Sequence, residues 1–291
     1  MSAITDFGMD TITLNGSLEA KLAAIKAAGF SQVMLGAQDI ASHPQGASAA
    51  IDAVLASGLR ATGFQVLRDF EGLSGHLHDY KLDIAKAMLQ MCHALGSKVL
   101  LACSSTSQHA SADPDVAAND LRKLATLALP LDIRIAYEGL SWGRTINEYT
   151  TAWDVVERAN WPNLGVGIDS YHIIAAETDP EPLDQIDPSR IFLVQLSDFM
   201  WQEVSSFEDR KNTARAFRVF PGEGVHSEQL AALVRRLDRN GFRGDYSFEV
   251  FNEDYRQLPA QIVCERARRS AYWVSQNVLK RGLPLPAWAS S

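Results

Sequence analysis

Short apolar segments alternate with helical ones eight times along the chain, and no other feature limits the fold as tightly. The apolar segments cover residues 7–14, 32–36, 60–65, 98–102, 134–138, 165–169, 191–195 and 245–249. They are strand-length runs. Residues 18–28, 47–57, 80–95, 114–129, 146–159, 182–186, 227–239 and 258–279 read as helices between and after them. Ser17 sits at an N-cap position with Glu19 in the first turn, and Leu18, Leu22, Ile25 and Ala28 keep helical spacing before Gly29. Such alternation predicts a parallel sheet with helical crossovers. Eight units predict closure into a single (β/α)8 barrel, which takes about 250 residues. No glycine-rich dinucleotide fingerprint follows the first segment. Residues 1–281 are read as this one domain and 282–291 as a proline-containing tail.

Composition excludes several classes. No apolar run approaches the roughly 20 residues of a membrane span. The N-terminus has no basic region leading into an apolar core, so a cytoplasmic protein is expected. Cys92, Cys103 and Cys264 lack metal-like spacing and read as reduced, buried, inert thiols. A net charge of −8 opposes nucleic-acid binding. It leaves room for a small carboxylate ligand, which a few local arginines can hold.

Four consecutive apolar segments end on a polar side chain: Glu138, Asp169, Gln195 and Glu249. In a (β/α)8 barrel, the C-terminal strand ends carry the chemistry. A buried carboxylate there is costly unless it is paired or binds a metal. Three carboxylates and one amide oxygen suit Mg²⁺ or Mn²⁺, with Co²⁺ also admitted, better than zinc. His172, three residues after Asp169, is expected on a loop above that metal, as general base or acid. His76 and His78 are expected on a surface loop after the third strand. Arg68 follows that strand and can clamp a carboxylate, or else pair with Asp69 or Glu71. A long loop is expected over residues 197–224; its Arg218 can close over an anion, and residues 209–211 read as solvated.

Five stretches carry a family resemblance: Phe64–Gly72, Tyr137–Arg144, Gly167–His172, Val194–Asp198 and Phe217–Gly224. Through them the chain resembles the xylose-isomerase-like TIM barrels, and within these the bacterial 3-dehydroshikimate dehydratases. Glu-Gly-Leu-Ser-Trp-Gly-Arg and Phe-Arg-Val-Phe-Pro-Gly are the more specific stretches, whereas the four strand-end ligands are shared by the superfamily. Many sugar epimerases have histidine as third ligand; Gln195 stands there in this chain. Some dehydratases carry a second, dioxygenase-like domain, and this chain stops where such a domain would begin.

The resemblance implies conversion of 3-dehydroshikimate to protocatechuate, a step of quinate and shikimate catabolism. It implies Glu138, Asp169, Gln195 and Glu249 as metal ligands and His172, with Glu138 and Glu249, in catalysis. Arg68, Arg218, Tyr137 and Ser197 are assigned to substrate binding. A homo-oligomer is compatible with this reading. The alternatives are a keto-sugar or inosose dehydratase, or a sugar epimerase or isomerase, on the same barrel. A DNA-repair endonuclease would want a histidine-rich zinc cluster and a basic surface. A non-catalytic alternative is a metal-bound barrel that binds a small acid.

Overall fold

The computed structural model describes residues 4–281, so the tail read at 282–291 lies outside the described residues. The alternation folds as expected. Phe7–Asp10, Gln32–Gly36, Arg60–Arg68, Val99–Cys103, Arg134–Glu138, Leu164–Asp169, Ile191–Leu196 and Tyr246–Phe248 form a closed, all-parallel barrel. The first strand pairs with the eighth in the register Phe7 to Tyr246, and rings stack along that seam, Phe7 lying 5.5 Å from Tyr246 and 5.7 Å from Phe248. Parallel strands need apolar cover on the outside. Helices such as Ser227–Arg239 supply it, burying Leu230, Leu233, Val234 and Leu237 while their polar side faces water.

Local signals set the helix starts. Ser17 Oγ accepts the Ala20 N–H, and Asp113 accepts the Asp115 N–H ahead of Pro114. Gly139 and Gly143 have a steric reason. A Cβ on Gly139 would collide with the backbone of Glu148, and one on Gly143 with the Ile146 carbonyl. This close approach seats the loop after strand five against the barrel top.

Several expectations need correction. The first strand stops at Asp10, not 14, because the Asp10 carboxylate accepts the Ile12 N–H and caps a 3-10 turn, Thr11–Thr13. Strand three runs on to Arg68, which places that residue at a strand end. A short helix, Ala37–Ala41, occupies part of the expected loop after strand two. His76 and His78 lie in the helix Gly75–Ala94, whose start precedes the expected one by five residues, and His78 Nδ1 faces Asp120 at 3.9 Å. Residues 182–185 lie within a single 3-10 turn, Glu181–Gln185. The expected loop at 197–224 holds a two-stranded antiparallel ribbon, Asp198–Phe199 with Arg218–Val219. Between the ribbon strands, the helix Phe207–Ala216 starts where Ser206 Oγ accepts the Asp209 N–H. The final helix, Ala260–Trp273, continues into a π-helical turn, Val274–Val278.

Candidate active site

The four strand-end residues converge. Glu138 and Asp169 close strands five and six, Gln195 is the next-to-last residue of strand seven, and Glu249 directly follows strand eight. All four are buried. One ligand atom each from Glu138, Asp169 and His172 lies within 4.8 Å of the others. His172 Nε2 stands 3.6 Å from Asp169 Oδ2 and 3.9 Å from Glu138 Oε1. His172 is not on a loop. It sits in the short helix Ser170–Ala175, capped by Asp169, whose Oδ1 accepts the Tyr171 N–H at 2.8 Å. That cap turns the histidine back over the strand ends.

The electrostatics are those of a crowded carboxylate cluster. Burial pushes Glu138 well above the carboxylate range, and Asp169 and Glu249 push it further. Burial and Asp169 raise Glu249 to about 7, against the opposing pull of Arg218, Gln65 and Gln195. Burial also pushes His172 down to about 4, so its ring is neutral at pH 7. Its Nδ1 faces the Ser141 N–H at 3.2 Å and the Ser141 hydroxyl at 3.0 Å. A backbone N–H can only donate, so that contact favours a proton on Nε2. The hydroxyl accommodates either tautomer.

Two buried oxygens of the quartet, Glu138 Oε1 and Gln195 Oε1, have no hydrogen-bond partner. Such groups are destabilising when left unpaired. Together with the like-charge crowding, they fit a cation, and Glu138, Asp169 and His172 are the group brought close enough to hold one.

Above the quartet lies a cavity of about 440 Å³, lined in part by Arg68, Trp142, His172, Arg215, Phe251 and Arg256. Arg68 is exposed at its mouth, and among the described residues it pairs with neither Asp69 nor Glu71. Those carboxylates are occupied elsewhere: Asp69 accepts the Thr106 N–H, and Glu71 accepts from Ser105 and the Tyr137 hydroxyl.

The remaining assignments shift. Arg218 does not reach out from a loop over a ligand. The ribbon lays it across the strand ends, almost fully buried, with Nη1 2.7 Å from Asp169 Oδ2 and 3.1 Å from Glu249 Oε2. Its Nε donates to the Ala214 carbonyl, and the guanidinium stacks on Tyr171 at 4.5 Å. Tyr137 points away from the cavity, because side chains alternate along a strand and Glu138 takes the inner position. Ser197 Oγ supports Arg218 Nη1 at 3.2 Å and does not line the cavity.

Sequence reasoning missed four kinds of participant. Asp10 and Gln65 close strand one and bridge from strand three: the Gln65 amide donates to Asp10 Oδ2 and also holds Glu249. Cys103 donates its thiol proton to Glu138 Oε2. Arg215 and Arg256 stand at the mouth with Arg68. Strand-end position marks Asp10 and Cys103, and Gln65 is the polar residue closing the apolar run 60–65; nothing in spacing marks the two arginines.

Comparison with known proteins agrees with this architecture. The chain is 34% identical to a 3-dehydroshikimate dehydratase of Pseudomonas aeruginosa over 92% of its own length and 41% of that protein's. It thus spans about two-fifths of that relative. An inosose isomerase of Bacillus licheniformis is 27% identical over 67% of this chain and 69% of its own. A solved xylose isomerase-like TIM barrel/4-hydroxyphenylpyruvate dioxygenase fusion protein superposes with a TM-score of 0.87 at 30% identity, covering 96% of this chain and 44% of that one. Residues 22–272 match the family described as xylose isomerase-like TIM barrel, and to that family the chain belongs.

Proposed function

We propose that this barrel is a divalent-metal-dependent dehydratase that removes water from 3-dehydroshikimate to give protocatechuate. The observation that carries the reading is the pairing of a buried oxygen-rich quartet with an arginine-rimmed cavity, in a chain 34% identical to a 3-dehydroshikimate dehydratase. Glu138, Asp169, Gln195 and Glu249 would hold the ion, Mg²⁺ or Mn²⁺ by ligand chemistry, with Co²⁺ as a substitute. When bound, it supplies Lewis acidity toward a ketone oxygen.

The chain's own residues do the rest. Arg68 holds the ring carboxylate with its planar fork at the mouth, and Arg256 or Arg215 completes the rim where Arg218 is tied to the floor. His172 takes the proton from the carbon beside the ketone at Nε2 and returns it to the departing hydroxyl, so one residue balances the elimination. Acting first as base requires the other tautomer, with the ring proton on Nδ1 donated to Ser141 Oγ and the Ser141 N–H contact given up. Trp142 and Phe251 line the cavity and limit water around the reacting ring. The reading expects a cytoplasmic enzyme of small-molecule metabolism with no nucleic-acid partner.

The test is incubation of metal-depleted protein with 3-dehydroshikimate and added Mg²⁺, Mn²⁺ or Co²⁺, following the aromatic product by absorbance. Product that appears only with metal is the expected result. No product with any of the three ions sinks the proposal. The similarity to an inosose isomerase keeps a second reading in view, a neutral keto-sugar substrate. Under it, turnover of an inosose would proceed without help from Arg68.

A further inference from the structure

Strands four and five run in register, so Cys103 and Glu138 stand side by side at their C-terminal ends. The Cys103 thiol donates to Glu138 Oε2 at 2.9 Å. Among the described residues it is the only hydrogen-bond donor recorded to that carboxylate. The other oxygen, Oε1, is buried, has no partner, and lies on the side of His172. With Oε2 held by the thiol, Oε1 is the oxygen left without a hydrogen bond and open to a ligand. The contact also needs a proton between sulfur and oxygen, so the thiol acts as a donor there.

Cys92 makes the contrast. Its buried thiol donates to the backbone carbonyls of Ser97 and Val99, far from any candidate ligand. Cys264 lies on the buried face of the last helix, Ala260–Trp273. Of the three cysteines, only Cys103 touches the quartet and lines the cavity.

We propose that Cys103 is a positioning residue: its S–H pins Glu138 Oε2 so that Oε1 alone is presented to the metal. This rests on the metal reading above. Partners that orient a metal ligand from behind are part of the site's affinity, although they never touch the ion. A serine keeps a donor at that place; alanine and valine do not.

The experiment measures Mn²⁺ binding to metal-depleted protein by electron paramagnetic resonance, without substrate. It compares the parent with Cys103→Ala and Cys103→Ser, each checked for fold by circular dichroism and melting. Alanine should weaken Mn²⁺ binding on the order of ten- to a hundredfold, and serine should stay within about threefold of the parent. If the alanine variant does not fold, Cys103→Val fills the volume without a donor and takes its place. A folded alanine or valine variant that binds Mn²⁺ like the parent overturns the role of Cys103 and leaves the metal reading standing. So does a serine variant as weak as alanine. A parent that binds no Mn²⁺ overturns the metal reading, and this inference with it.

Discussion

The two ends of the barrel treat charge in opposite ways. At the N-terminal strand ends, Arg60 makes a forked pair with Asp245 at 2.7 and 2.8 Å and also reaches Gln32. Nearby, Arg281 joins Asp6 and Asp238. Those charges meet opposite partners at the water's edge. At the C-terminal end of the barrel, three carboxylates crowd together in the interior with Arg218 against two of them, and two oxygens of the quartet have no hydrogen-bond partner. Stability alone would favour the first arrangement at both ends. The second arrangement fits the proposed metal site, and buried groups with displaced pKa values gather where chemistry is done.

The sharpest way to break this contrast is Glu138→Gln. It removes a ligand charge while keeping shape, and should lower turnover by about a thousandfold or more, a loss near 4 kcal/mol of transition-state stabilisation. The metal-free variant should melt no lower than the parent, since a crowded buried carboxylate has become neutral. Kinetics and calorimetry on the same sample check both halves. A variant that stays active and melts lower would mean Glu138 is a structural group.

Arg68→Ala comes next. If the arginine meets a substrate carboxylate, the specificity constant should fall on the order of ten- to a few hundredfold, from a charged hydrogen bond of about 1.5–3 kcal/mol. Lysine should rescue only part, lacking the planar fork. Melting should stay put, because the side chain is exposed at the mouth. Unchanged kinetics in both variants would move the neutral keto-sugar reading ahead.

Glu71 extends the comparison to pH. Burial raises its carboxyl to about 7, and one of its oxygens is buried without a partner. Between about 4.5 and 7 the folded state therefore keeps a proton that the unfolded chain has lost. Its contribution to stability is complete below about 4.5, falls as pH rises to about 7, and is level above. The full drop is on the order of 3 kcal/mol, from about 1.4 kcal/mol per unit. Glu71→Gln should equal the parent at pH 4.5 and exceed it at pH 8 in urea unfolding. Parallel pH curves for the two proteins would remove Glu71 as the cause.

The smallest effect belongs to the other end. Arg60→Ala breaks a forked pair that is more than half exposed on the arginine side. It should lower stability by less than about 1 kcal/mol and leave kinetics untouched.

Much of the architecture was legible in the sequence because each strand is a short apolar run between helical repeats. The quartet was legible for the same reason: a polar residue closing such a run stands out. Applied evenly, that rule would also have found Gln65, and Asp10 once strand one is ended correctly. Strand alternation would have turned Tyr137 away from the cavity, since its neighbour Glu138 faces in. Other features depend on contacts that no local pattern encodes. Arg218 meets Asp169 across 49 positions, and Cys103 meets Glu138 across 35. The ribbon that delivers Arg218 has two residues per strand, too short for periodicity to reveal.

That ribbon bears on how the cavity can open. The helix Phe207–Ala216 borders the cavity at its C-terminal end, through Ala214 and Arg215, and has the look of a hinged cover. Its C-terminal end, however, is riveted through Arg218: one nitrogen grips the Ala214 carbonyl and another grips Asp169 and Glu249 in the interior. Lifting the cover at that end would drag a guanidinium off two carboxylates and strand all three. The overhang is therefore pinned at that end, a fixed eave rather than a hinged lid.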